Sequence, residues 1–175
     1  MESELLGKIL VCAGSDRNQY TYDPSNDRWK VVEGLQFAKP NRYRTAMTFS
    51  PQLGFVFACG GDTGPYESTV EVLHARDGGR SRRWFFAPEL PFPRMLSGAT
   101  IIDGRLFVVA GEGSAPYPDK HSNSSVSSHL CSFDLRGDWS KSKWISCASM
   151  SIPRSYFSAV AIPGNRLWIC GGYDN

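Results

Sequence analysis

Three arginines recur ahead of three similar apolar runs: Arg42 in NRYRTAMTF, Arg94 in PRMLSGATII and Arg154 in PRSYFSAVAI. A guanidinium is a permanent cation with five donors in a fixed fork, so it suits either a carboxylate or a cluster of backbone carbonyls. The chemistry on offer is therefore a structural clamp or a row of anion-binding positions. Arg44 and Tyr156, two positions after Arg42 and Arg154, and Tyr66, in the loop after Gly60-Gly61, join the candidate partner-binding set. A long polar stretch, EGSAPYPDKHSNSSVSS from Glu112 to Ser128, adds Tyr117, Asp119, Lys120 and His121. Such a stretch suits a recognition loop, and equally a solvated loop without a partner.

Other chemistry is poorly represented. His74, His121 and His129 have no partner at His-x-x-x-His spacing, and no Cys-x-x-Cys occurs, so neither a metal site nor a cofactor is expected. There is no Gly-x-Ser-x-Gly nucleophile elbow, and Gly60-Gly61 closes an apolar run with no helical pattern after it to cradle a phosphate. The expectation is a protein that is not an enzyme. Nineteen basic residues against 17 acidic ones leave a formal charge of +2, which makes no electrostatic case for nucleic acid or an anionic membrane. The basic cluster Arg80, Arg82 and Arg83 suits a solvated turn, with a phosphate or acidic-peptide contact as its alternative.

No run approaches the roughly 18 apolar residues that span a bilayer. The start, MESELLGK, lacks the basic region of a signal peptide. A cytoplasmic location is expected, with the nucleus as alternative, and the Asn123 sequon matters only in a secreted chain. Five cysteines, an odd number, agree with a reducing compartment. Cys131 and Cys147 flank one predicted hairpin, so a bridge between them stays open on geometry, while the compartment weighs against it.

The elements that must position these residues come from one phrase written four times. It reads GKILVCAG from Gly7, GFVFACGG from Gly54, GRLFVVAG from Gly104 and NRLWICGG from Asn165. Each is a turn residue, an apolar run too short for an ordinary helix and a closing glycine, which predicts a strand buried on both faces. The arginine-led run before it predicts an antiparallel neighbour, and Asp103-Gly104 is a strong hairpin signal between the two. A third strand follows at Gln19 to Asp23, Thr69 to Leu73 and His129 to Asp134. A tryptophan then opens a fourth, at Trp29, Trp84 and Trp144, and a large ring at one fixed place predicts packing between adjacent sheets. A period of roughly 50 to 60 residues with several short strands is the range of propeller blades.

This order, from arginine through small residues, a glycine-closed run and aromatic-Asp to a spaced tryptophan, resembles the kelch repeat. The resemblance implies an all-β, kelch-type β-propeller built of four-stranded antiparallel blades. It covers nearly the whole chain, although Ala13-Gly14 and Ala110-Gly111 keep only one glycine and Tyr-Asp survives only at Tyr22-Asp23. The blades fall at about 5–35 (partial), 42–90, 94–150 and 154–175 (partial), giving three to four in one domain over 1–175. Kelch-like adaptors imply a protein or peptide partner and use as a substrate receptor of a cullin-type ubiquitin ligase. In some of them arginines at this motif position line a central cavity and hold acidic peptides; the structural alternative is that Arg42, Arg94 and Arg154 bond carbonyls of neighbouring blades. A second resemblance, to copper radical oxidases with a kelch-like propeller, implies a catalytic alternative, as does a sugar-modifying propeller.

Propellers close with about four to eight blades, so this chain reads as an arc. Three arrangements are open: a piece of a longer polypeptide, which is favoured, a ring completed by a second copy, or a strained four-bladed ring. An arc exposes strand edges and apolar sheet faces, so the isolated chain is expected to self-associate or behave poorly.

Overall fold

Three of the four apolar phrases, those from Gly54, Gly104 and Asn165, pair with the arginine-led strand before them, the first phrase is the edge strand of its sheet among the described residues, and the sheets are stacked in chain order. The computed structural model describes residues 7–12, 18–33, 35–75, 83–113 and 126–174, and among them there is no helix. The first sheet is β1 (Ile9–Cys12), β2 (Gln19–Asp23) and β3 (Arg28–Val31). The second is β4 (Ala46–Ser50), β5 (Phe55–Cys59), β6 (Val70–His74) and β7 (Phe85–Ala87), in that spatial order. In the third, β8 (Arg94–Met95) and β9 (Gly98–Ile102) are two pieces of one arginine-led strand along β10 (Arg105–Gly113), which β11 (Val126–Asp134) and β12 (Ile145–Ser146) extend. The fourth is the hairpin β13 (Ser155–Ile162) and β14 (Arg166–Tyr173). The arginine-led strands lie side by side, β4 against β9 and β9 against β13.

Strand alternation decides which neighbour each residue meets. From the second sheet Phe57, Cys59, Val70 and Val72 bury against Leu106, Val108, Cys131 and Phe133 of the third. The intervening Val56, Ala58 and Leu73 turn the other way, onto Leu10 and Cys12 of the first. Burying one such side chain is worth about 1.5–3 kcal/mol, so each seam is chiefly hydrophobic.

The phrase is buried on both faces only in the two interior sheets. In β14 the pattern alternates, with Leu167 and Ile169 half-buried and Trp168 and Cys170 exposed, because one face has no sheet against it. The tryptophans divide for the same reason. Trp84 is 5% exposed, and Trp144 lies 5.2 Å from the Phe133 ring while its Nε1 donates to Pro88 O at 3.0 Å. Trp29 departs from the expected packing between sheets: it is 60% exposed and leans on Tyr22 at 5.1 Å. Cys131 and Cys147 are both free thiols, Cys131 buried against Val108 O and Cys147 beside Ser132 Oγ.

Backbone bonds repeat at the seams. Gly61 N–H donates to Arg94 O at 2.7 Å, and Arg94 N–H donates to Glu67 O at 2.9 Å. One sheet later Gly111 N–H donates to Arg154 O at 2.9 Å, and Arg154 N–H to Ser127 O at 3.1 Å. The main chains of Arg94 and Arg154 are thus each tied to the sheet before them.

Candidate functional site

The arginine side chains stay within their own sheets. Arg42, 5% exposed, donates from Nε to Gly60 O (2.6 Å), from Nη2 to Ala58 O and Thr69 O (2.9 and 2.7 Å) and from Nη1 to Glu71 Oε1 (2.9 Å). Glu71 is fully buried as well, and its carboxylate also accepts from the Ala38 and Lys39 amides. Burial pushes the Arg42 pKa down, against the Glu71 charge that holds the proton on. Arg94, fully buried, donates to Ala110 O and His129 O at 3.3 and 3.4 Å and sets Nη2 3.0 Å from His129 Nδ1. Because a guanidinium only donates, Nδ1 is the acceptor and Nε2 carries the ring proton toward Ser146 Oγ at 3.1 Å. Arg154 Nη1 donates to Gly171 O at 2.8 Å. The carbonyls bonded by these side chains belong to the arginine's own blade, which corrects the expectation of bonds into neighbouring blades.

Two residues further on, the chain turns outward. Arg44, Leu96 and Tyr156 each follow their arginine by two positions, and each has a left-handed backbone, with φ of 55, 53 and 56°. The registers Tyr43↔Asp62, Met95↔Glu112 and Ser155↔Tyr173 set them opposite Gly61, Gly111 and Gly172, whose φ values are 122, 94 and 94°. A Cβ on Gly61 would meet Thr45 Oγ1 at 2.6 Å and Tyr43 O at 2.9 Å, the two neighbours of Arg44. The second glycine of the phrase is therefore required by the kink across from it. The kink takes Arg44, Leu96 and Tyr156 out of the inward alternation, and Leu96 N–H donates to Arg44 O at 3.0 Å, linking two of them across a seam.

These residues form a rim. Tyr156 is 61% exposed and Tyr43 39% exposed, while Tyr66 is half-buried and joins Asp62 by an isolated bridge. Arg44 Nη1 lies 3.3 Å from Asp62 Oδ2 and 3.6 Å from Met95 Sδ, and its guanidinium sits 5.6 Å from the Tyr43 ring centroid. The rim offers an anion the Arg44 guanidinium, which lies beside the Tyr43 ring. Nearby, Glu67 is pushed up by burial, but Lys39 and Thr63 outweigh that and hold it below the usual carboxylate range. At the far end of β4 lies an apolar groove of about 350 Å³, lined by Ile9, Leu10, Met47, Phe49 and Val56 with Lys8 at its edge.

Of the residues singled out in the sequence, the structure brings Arg44, Tyr66 and the Arg42 loop together and sets Tyr156 two sheets away. Arg42 and Arg94 are turned into the blades. Tyr117, Asp119, Lys120 and His121, like Arg80 and Arg82, lie outside the described residues. Sequence reading did not isolate the kink as a class. Its signal was the constant offset of two from each arginine, obscured because arginine, leucine and tyrosine share no property.

No family model matches the chain. Two solved structures do resemble it in fold. One is described as YjhT, with TM-score 0.65 and 16% identity over 90% of this chain and 45% of that one. The other is a fungal alcohol oxidase of the AA5 family in complex with copper, with TM-score 0.65 and 16% identity over 98% of this chain and 35% of that one. This is an arc of a β-propeller. The arc spans less than half the length of either relative in fold. Among the described residues no three His, Cys, Asp or Glu side chains converge. His74 packs on Phe55 in the second blade, and His129 is enclosed in the third.

Proposed function

We propose that the arc is a protein-interaction module whose rim binds a peptide or protein segment carrying a carboxylate. The observation that supports this reading most is the repeated kink, which delivers Arg44, Leu96 and Tyr156 to one edge from three rigid sheets. Arg44 is held by a single carboxylate contact at 3.3 Å and keeps its other donors for a partner, among the described residues. A charge-assisted bond there is worth about 1.5–3 kcal/mol, or at least tenfold in affinity. Use as the substrate receptor of a cullin-type ubiquitin ligase is the finer form of the proposal, and it rests on the likeness to kelch-like adaptors. An array of acidic and neutralised peptides, read by fluorescence anisotropy, tests the rim: acidic members bind and Arg44→Ala abolishes the preference. Equal binding of acidic and neutral members, or no binding at all, overturns it.

The fungal alcohol oxidase favours a second reading, a catalytic propeller. It ranks lower because the described donors do not converge. Copper titration of the purified chain discriminates the two, since stoichiometric uptake reverses the order.

A further inference from the structure

The Arg44 guanidinium is used from one side only. Nη1 is taken by Asp62 Oδ2 at 3.3 Å and Met95 Sδ at 3.6 Å, whereas Nε and Nη2, the other edge of the fork, make no hydrogen bond or ion pair among the described residues. The Arg44 side chain is 45% exposed and that of Asp62 11%, so the cation is presented and its counter-charge lies deeper. Asp62 cannot swing away. Its main chain exchanges two hydrogen bonds with Tyr43, at 2.9 and 3.1 Å, and its Oδ1 accepts from Gly64 N–H at 2.7 Å. A second carboxylate, Glu67, stands in the same turn, where its N–H donates to Gly61 O and its side chain accepts from Thr63 Oγ1 and Lys39 Nζ. Glu67 thus has a cation of its own, and the Asp62 charge is the one set against Arg44.

We infer that Asp62 is the specificity-determining residue of the rim: a singly charged carboxylate docks on the Nε and Nη2 edge of Arg44, and the advantage a doubly charged phosphoryl group has on a lone guanidinium is cancelled. The inference rests on the rim as the binding surface proposed above and adds a selectivity to it. A planar carboxylate meets the two parallel N–H groups of that edge with its two oxygens, so it does not compete with Asp62 for Nη1. Its charge nevertheless comes within about 6 Å of the Asp62 carboxylate, because a single guanidinium separates them, and in a water-like medium this costs about threefold in affinity per unit of ligand charge. A dianion suffers that factor squared. The Arg44–Asp62 pair carries no net charge, so the second charge of a phosphoryl group gains nothing there, and its heavier desolvation favours the carboxylate.

Small anions test this on the 1–175 chain. The Nε–H resonance of Arg44, assigned as the signal lost in Arg44→Ala, is followed by NMR at pH 7 during titration with acetate or methyl phosphate at constant ionic strength. Methyl phosphate is mostly a dianion there, its second pKa lying at about 6. In the unmodified chain acetate is expected to bind at least as tightly as methyl phosphate, a readout that needs no variant. In Asp62→Asn, which keeps an oxygen for Gly64 N–H, acetate is expected to gain about threefold and methyl phosphate about tenfold, putting the dianion ahead. Methyl phosphate ahead in the unmodified chain, equal gains in Asp62→Asn, or an Nε–H signal that neither ion moves overturns the inference. The acidic-peptide array is read separately: the expected ion order beside an array without binders leaves the selectivity standing and overturns the peptide reading alone.

Discussion

Arg44 and Gly61 face each other across the β4–β5 hairpin with left-handed backbones, φ 55° and 122°, and neither conformation is separable from the other. The kink at Arg44 carries its flanking atoms into the space a Cβ on residue 61 would need, Thr45 Oγ1 at 2.6 Å among them. The same pairing returns at Leu96 with Gly111 and at Tyr156 with Gly172.

Gly61→Ala is accordingly expected to lower stability by more than about 2 kcal/mol, combining a left-handed alanine with a backbone clash. Ala110 supplies the control. It occupies a left-handed position (φ 54°), so Ala110→Gly relieves strain and is expected to gain up to about 1 kcal/mol, partly offset by unfolded-chain entropy. Urea unfolding of both variants measures this, and equal effects of the same sign would contradict it.

The Arg42–Glu71 pair is fully buried. Removing either partner leaves an uncompensated interior charge, so Arg42→Met and Glu71→Gln are each expected to cost about 3–5 kcal/mol. The double variant should cost much less than their sum, and a double-mutant cycle in urea reads the coupling.

Arg44 and Arg94 should separate function from architecture. Arg44→Ala loses an ion pair with an exposed arginine, worth about 0–1 kcal/mol, and the acidic-peptide preference with it. Arg94→Ala is expected to lower the melting temperature by several degrees, as it empties a buried site that ties Ala110, His129 and the β8 strand. Loss of peptide binding in a fully folded Arg94→Ala would move that residue into the rim.

Acid should act in part through the turns that close the third strands. Hydrogen bonds from Arg136 hold the Asp134 carboxyl well below the usual range, and those from Ser25 do the same for Asp23. A carboxylate depressed on folding contributes stability that is fully present above its unfolded value, near 3.9, and disappears as pH falls through the folded one. Asp134→Asn is therefore expected to flatten the fall of melting temperature between about pH 4 and pH 2, and to leave the fall near pH 5–7 unchanged.

Cysteine reactivity should follow burial. Desolvation pushes the Cys59 thiol up to about 12 and the Cys131 thiol up to about 11, so native labelling at neutral pH should spare both until urea unfolds the chain. Labelling of either in native protein would show that the central seam opens.

How much of this was legible follows from what a repeat encodes. Four glycine-closed runs, three leading arginines and the spaced tryptophans were enough to predict antiparallel sheets and a propeller arc, because strand periodicity and turn residues act over a few neighbours. The destination of a side chain was not. Trp29 and Trp84 open equivalent strands, yet one is 60% and the other 5% exposed, since only the second has another sheet against its face. Likewise Arg42, which looked ready for a ligand, found four acceptors inside its own blade, while Arg44 two positions later was turned out by a kink facing a glycine. Local sequence determined which strands form and where they turn. Burial and ligand access were decided only when the sheets stacked, because both depend on what lies about 10 Å away across a sheet face.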